Sequence, residues 1–257
     1  MLPDSSFAGR VAVVTGGGSG IGFAIACGLA RLGATVALVG RRGDALQRTV
    51  AAIDEMGGQA LAKPGDVRDR DTVETTLAEV EADHGPVGLL VNAAAGNFRV
   101  QPEAMSANAW SSVVRIVLDG TWNWTQVVGQ RAIHNRSRVS VLNIGTVGAL
   151  QGGPETVHSA SAKAGVVAMT KSLAAAWGPH DIRVNLLTPG ITEDTPGAAI
   201  LLGDEEARHR AISQIPLQRA ATLTEVTNAA LYLLSDYAGY ITGANLVVDG
   251  GRGLGRA

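Results

Sequence analysis

Ser159 and Lys163 stand four residues apart on a helical pattern, which places a hydroxyl and an ammonium on one face, one turn from each other. A run of small residues precedes Lys163 and the apolar segment Gly165-Val166-Val167-Ala168-Met169 follows it, a setting that draws the cation out of solvent. A partly buried ammonium beside a hydroxyl suits the holding of a polar, electron-rich ligand, and both groups can reach one ribose. A second constellation lies near the start of the chain. VAVVTGGGSGIG runs from Val11 to Gly22 and sets Gly16, Gly20 and Gly22, with Ser19 and Ile21 between them, where an apolar strand gives way to a helix. Glycine there lets the backbone turn sharply and come close to a pyrophosphate, whose charge the helix N-terminus stabilises.

About twenty residues further on, the second strand ends in Val39-Gly40-Arg41-Arg42. Gly40 stands where a carboxylate would take a free ribose 2′-hydroxyl. Arg41 instead offers a planar guanidinium to a 2′-phosphate, so the pattern predicts NADP(H) over NAD(H). Asp66, with Val67 in the turn after the third strand, is placed to accept from an adenine amino group, or equally to bond its own turn. Asn92 opens Asn92-Ala-Ala-Ala-Gly-Asn97, whose small residues let the chain pass close beside the cofactor or simply pack tightly.

Short β-branched runs at 11–15, 35–39, 59–63, 88–92, 138–144, 182–187 and 245–248 alternate with helical patterns. Gly33 closes the first helix, and 69–83 reads as an amphipathic crossover. Right-handed crossovers then predict an α/β, Rossmann-like, doubly wound seven-stranded parallel sheet in a single domain over 1–257, with its ligand crevice at the C-terminal ends of the strands. The 46% hydrophobic content and 33 glycines suit such a buried sheet with tight turns. Aromatic residues are 4% and the net charge is −2, which argues against stacking platforms for nucleic acid and against attraction to anionic membranes. Cys27 is alone in an apolar helical run, so no intramolecular disulfide forms and a reducing compartment is expected. Neither a secretory core, a presequence, a membrane span nor a peroxisomal address is read, and no metal set either; the expectation is a cytoplasmic protein whose partners are small molecules or copies of itself.

TGGGSGIG, NAAAGNF, SASAK and YITGANLVVDGG resemble, in the same order and over essentially the whole chain, the short-chain dehydrogenase/reductase family. Most of that family carry a tyrosine four residues before the lysine, where this chain has Ser159; its tyrosines, Tyr232, Tyr237 and Tyr240, lie outside the motifs that carry the catalytic resemblance. AAGNF together with SASAKAG resembles the 2,4-dienoyl-CoA reductases, and WGPHDIRVN and IPLQR agree. The resemblance implies that Lys163 bonds the nicotinamide ribose, that Asn97 donates to the thioester carbonyl of an acyl-CoA, and that Thr146 stands at the family's substrate-side serine. It also implies cofactor contacts at Pro189, Gly190 and Ile191, a carboxamide contact at Thr192, and a mobile lid over 191–215. A homotetramer is implied too, joined through helices around Trp110 to Gln130 and Ser159 to Trp177, with the last strand at a second contact. Gly148 stands where the mitochondrial type has a tyrosine, while VHSASAK, with His158, resembles the peroxisomal type.

Hydride addition to a ketone makes a basic alkoxide that needs a positioned acid. Conjugate addition to an unsaturated thioester spreads charge into an enolate whose oxygen needs only preorganised donors, which Asn97 and Thr146 can supply. The expectation is therefore an NADPH-dependent reductase of unsaturated acyl-CoA thioesters, 2,4-dienoyl-CoA foremost, with water protonating carbon. The alternatives are a carbonyl short-chain dehydrogenase with a non-tyrosine acid and a catalytically silent NADP(H)-binding module. Asp119 and His158 stand outside this core set. Arg208, His209 and Arg210 are readable either as contacts to CoA phosphates or as a solvated helical face.

Overall fold

The computed structural model describes residues 2–202 and 205–254, with the side chains of 200–202 left aside. Its strands are β1 (Val11–Thr15), β2 (Thr35–Gly40), β3 (Gln59–Pro64), β4 (Val87–Asn92), β5 (Val139–Ile144), β6 (Ile182–Pro189) and β7 (Asn245–Val248). They form one all-parallel sheet in the order β3-β2-β1-β4-β5-β6-β7. The expected strands thus form, with ends displaced by at most two residues; β6 runs on to Pro189 because Pro189 still pairs with Val248.

Helices α1 (Gly20–Arg31), α2 (Gly43–Glu55), α3 (Arg70–His84), α4 (Ala107–Val114), α5 (Gly120–Asn135), α6 (Gly148–Gln151), α7 (Val157–Trp177), α8 (Pro196–Leu202), α9 (Glu205–Ser213) and α10 (Leu223–Leu234) connect or cover the strands. Among the described residues no helix is long and apolar enough to cross a membrane. Alternation along each strand sorts the core into two layers. Ala12, Val14, Leu38 and Val91 pack with Ile25 and Leu29 of α1 and Val226 of α10. Val11, Val13, Val39 and Leu90 pack on the opposite face with Leu77 of α3, Trp124 of α5 and Leu173 of α7. Both faces are covered, so the strands can be apolar throughout, as the sequence of a parallel sheet requires.

The crossovers begin and end where local chemistry dictates. Asp69 caps α3 by accepting from the amides of Asp71 (3.1 Å) and Thr72 (3.3 Å). Gly33, at φ +95°, follows α1 and lets the chain turn back into β2. Between α4 and α5 the helical path widens to a π segment over Arg115–Asp119, which leaves Val117 buried and Asp119 exposed.

The chain's first two crossovers move outward from β1 to β2 and β3, and β4 then joins β1 on its other side. The loops leaving β1 and β4 diverge there, which opens the crevice. Thr15 Oγ1 joins them by accepting from the amides of Ala93 (3.2 Å) and Ala94 (3.1 Å). Gly16, at φ +71°, fits the remaining space: a Cβ there would lie 2.7 Å from the Ala93 carbonyl oxygen. A Cβ at Gly22 would come within 2.4 Å of the Gly16 carbonyl oxygen, so Gly22→Ala is expected to cost about 1–3 kcal/mol of stability in urea unfolding.

Candidate active site

A continuous trench follows the C-terminal edge of the sheet. Its first part is lined by Gly16, Ser19, Gly40, Arg41, Asp66 and Val67 among others. Gly16, Ser19 and Ala95 carry it into a middle cleft of about 330 Å³, which also takes in Gly20, Ile21, Gly22, Ile144, Lys163 and Thr192. Asn97, Thr146, Ser159, Pro189, Gly190 and Ile191 are shared between that cleft and a third hollow bounded by Gly148, Gln151, Glu155 and Arg252.

At the first end Arg41 is exposed on the trench wall. Asp66 lines the trench and also bonds its own turn. Its carboxylate accepts from Arg68 Nε at 3.0 Å, from an Arg68 terminal nitrogen at 2.5 Å and from the Arg68 amide at 3.0 Å. The Arg68 guanidinium is the main cause holding the Asp66 carboxyl below its usual range.

In the middle, Lys163 is 5% exposed, and its Nζ donates to the carbonyl oxygen of Ile144 at the end of β5. Burial pulls its pKa from 10.5 down to about 8. That bond ties α7 to the sheet and points the ammonium at the cleft floor. Ser159 is buried one turn earlier and opens on both the middle cleft and the outer hollow.

At the outer end the Asn97 carboxamide oxygen accepts from the Phe98 amide at 3.0 Å, which leaves its NH₂ free to donate. Thr146 lies on the wall with it, and Gly148 has open space beside it, since a Cβ there would meet nothing nearer than 3.8 Å. Arg252 is brought in from the far end of the sequence by a turn that Asp249 holds, accepting from the amides of Gly251 (2.8 Å) and Gly253 (2.6 Å). Gln151 Nε2 adds a bond of 3.0 Å to the Gly253 carbonyl.

Several expected residues make bonds within the protein. Asn92 turns inward: its amide donates to Thr125 Oγ1 (2.8 Å) and Asn143 Oδ1 (2.9 Å), and Asn143 donates to Thr170 Oγ1 (2.9 Å). It supports the trench from beneath rather than lining it. The reason is burial, which directs the NH₂ to protein acceptors, while Asn92 Oδ1 is buried with no partner among the described residues. Thr192 lines the cleft but donates its hydroxyl to the Gly190 carbonyl at 3.2 Å. Arg208 and Arg210 pair with Glu193 (3.5 Å) and Glu206 (2.7 Å) and, like His209, do not line the trench. The 191–215 segment forms α8 and α9, with 203 and 204 outside the described residues, and Thr195 and Pro196 sit against the Gly20 turn. None of Tyr232, Tyr237 and Tyr240 lines the trench. Sequence reading missed Arg252, Arg99, Gln151 and Glu155 at the outer end, because only the folded chain brings residues so far apart together.

The donors and shape fit a dinucleotide: a glycine turn with no room for side chains, a guanidinium at one end, and a buried ammonium partway along.

Residues 16–252 match the family described as enoyl-(acyl carrier protein) reductase. A protein of Bacillus subtilis (strain 168), named a probable 2,4-dienoyl-CoA reductase, (2E)-enoyl-CoA-producing, is 37% identical over 246 residues, covering 95% of this chain and 97% of its own. The peroxisomal 2,4-dienoyl-CoA reductase, (3E)-enoyl-CoA-producing, of Mus musculus is 38% identical over 246 residues, covering 94% and 83%. Among solved structures, a short chain dehydrogenase from Bacillus anthracis str. 'Ames Ancestor' aligns with a TM-score of 0.89 at 37% identity, covering 97% of this chain and 98% of that one. A chain from Beutenbergia cavernae, solved with NADP bound at low occupancy, aligns with a TM-score of 0.91 at 35% identity, covering 97% and 99%.

Lys163 yields a prediction about stability. Its folded pKa of about 8 lies below the unfolded 10.5, so the folded protein loses this proton first. The penalty of holding the buried ammonium is fully present below pH 8 and is relieved as pH rises toward 10.5. Urea unfolding across that window should show this group adding stability by a few kcal/mol as pH rises. Lys163→Met should lack that increment.

Proposed function

This chain belongs to the short-chain dehydrogenase/reductase family, and from that membership we propose that it reduces 2,4-dienoyl-CoA thioesters with NADPH. The observation that carries the reading is the outer end of the trench, where the free NH₂ of Asn97 and the hydroxyl of Thr146 lie beside Ser159 with no tyrosine on the wall. The names of the Bacillus subtilis and Mus musculus relatives support the substrate class.

When bound, the reduced nicotinamide supplies a hydride to the distal carbon of the conjugated chain. Asn97 donates to the thioester oxygen, where negative charge develops, and Thr146 is the second donor. These donors are worth most in a site from which water is excluded. Ser159 and Lys163 hold the ribose, and the lysine's fixed charge adds to the field over the developing enolate. A solvent proton then adds to carbon, so no side-chain acid is consumed. Gly16, Ser19, Gly20, Ile21 and Gly22 seat the pyrophosphate at the N-terminus of α1. Arg41 takes the 2′-phosphate, Asp66 and Val67 border the adenine, and Pro189, Gly190 and Ile191 border the nicotinamide. The segment 191–215 acts as a lid within one domain, excluding water on closure. Exposed Trp110 and Trp122 on α4 and α5 suit burial in a homotetramer.

Three measurements test this reading. Anaerobic NADPH consumption should be supported by 2,4-dienoyl-CoA and not by ketones, and a preparation that binds NADPH yet oxidises it with no thioester would defeat the proposal. Asn97→Ala should lower kcat by about 10²–10³ with a smaller rise in KM for the thioester, whereas an unaffected kcat removes Asn97 from the mechanism. Arg41→Ala should raise the KM for NADPH and leave that for NADH nearly unmoved.

A further inference from the structure

The loop that carries Asn97 is fastened to the start of α7 at several points. The Val100 amide donates to the Glu155 carbonyl at 3.0 Å, Gln101 Nε2 donates to Glu155 Oε1 at 3.2 Å, and Arg99 pairs with Glu155 Oε2 at 3.5 Å. The two side-chain contacts are solvent-exposed and restrain little. The backbone bond fixes the spacing of the two segments but not the rotation of the peptide between Asn97 and Phe98. That rotation matters, because the Phe98 amide holds the Asn97 carboxamide oxygen and so decides where its NH₂ points.

His158 supplies the missing restraint. Its ring is fully buried (0% exposed) and meets Phe98 edge to face, with centroids 4.5 Å apart and planes at 67°. Among the described residues neither ring nitrogen has a hydrogen-bond partner, so what the side chain gives its surroundings is the contact of the ring itself. Neither His158 nor Phe98 lines the trench, whereas Asn97 does. We infer that His158 is a positioning residue, which braces Phe98 from α7 and thereby aims the Asn97 NH₂ at the substrate carbonyl. The inference rests on the oxyanion role given to Asn97 above.

The test compares His158→Ala, His158→Phe, Asn97→Ala and the double variant His158→Ala/Asn97→Ala, each first shown by fluorescence titration to bind NADPH. His158→Ala should lower kcat about tenfold with little change in the KM for the thioester, His158→Phe should recover most of that loss, and the double variant should be no slower than Asn97→Ala. Infrared spectra of bound dienoyl-CoA labelled with ¹³C at the thioester give a readout independent of turnover. The carbonyl stretch should fall on binding to the wild type and to His158→Phe, and fall less with His158→Ala and Asn97→Ala. If Asn97→Ala is impaired but His158→Ala behaves as wild type, only the role of His158 is overturned. That role is overturned equally if His158→Phe is as slow as His158→Ala, or if the histidine's effect persists in full without Asn97. If Asn97→Ala itself turns over normally with an unmoved carbonyl stretch, the oxyanion reading fails and the brace fails with it.

Discussion

The reversal of winding between β1 and β4 is the constraint from which the site follows. With every strand parallel, the connections must cross over the faces, and all the loops that leave C-terminal ends gather on one edge. At the reversal those loops part, and Thr15 spans the gap from below by accepting from two amides of the β4 loop. Gly16 and Gly22 then have no freedom to be anything larger, because each faces a backbone carbonyl closer than a side chain tolerates. The glycine turn is thus required by the fold's own packing as well as by any phosphate it receives.

Beneath the trench lies a polar interior that a parallel sheet does not need for stability. Asn92, Thr125, Asn143 and Thr170 form a chain of buried hydrogen bonds linking β4 and β5 to α5 and α7. The bonds tie the helices to the sheet, although Asn92 Oδ1 is buried without a partner among the described residues. Lys163 sits on α7 above it, held by the Ile144 carbonyl and, among the described residues, paired with no carboxylate, while it lines the middle cleft. Site and scaffold are coupled through α7, whose first turn also carries His158 and Ser159.

The fold was readable because continuous β-branched runs separated by helical periods have few other solutions, and the seven strands lie within two residues of their expected places. The glycine turn, Arg41, Ser159 and Lys163 each follow from spacing along one element, and all of them line the trench. The inward turn of the Asn92 side chain is not legible in spacing, which does not tell whether an amide faces a crevice or the interior. The π segment at Arg115–Asp119 was invisible because a single widened turn leaves no periodic trace. Arg252 and Glu155 escaped notice because their place depends on contacts between segments far apart in the sequence, such as Gln151 with Gly253.

The central claim is that reduction occurs at a conjugated carbon, with charge held on a thioester oxygen and no phenolic acid in the pocket. Its most direct test is to follow isotopic label through the reaction with NADPH deuterated at the transferred position and 2,4-dienoyl-CoA as substrate. The account predicts deuterium from the cofactor on the distal carbon of the former diene, and, in a parallel run in deuterated water, solvent deuterium on the α or γ carbon. Cofactor deuterium on a carbonyl carbon, or none transferred to any thioester, would contradict it.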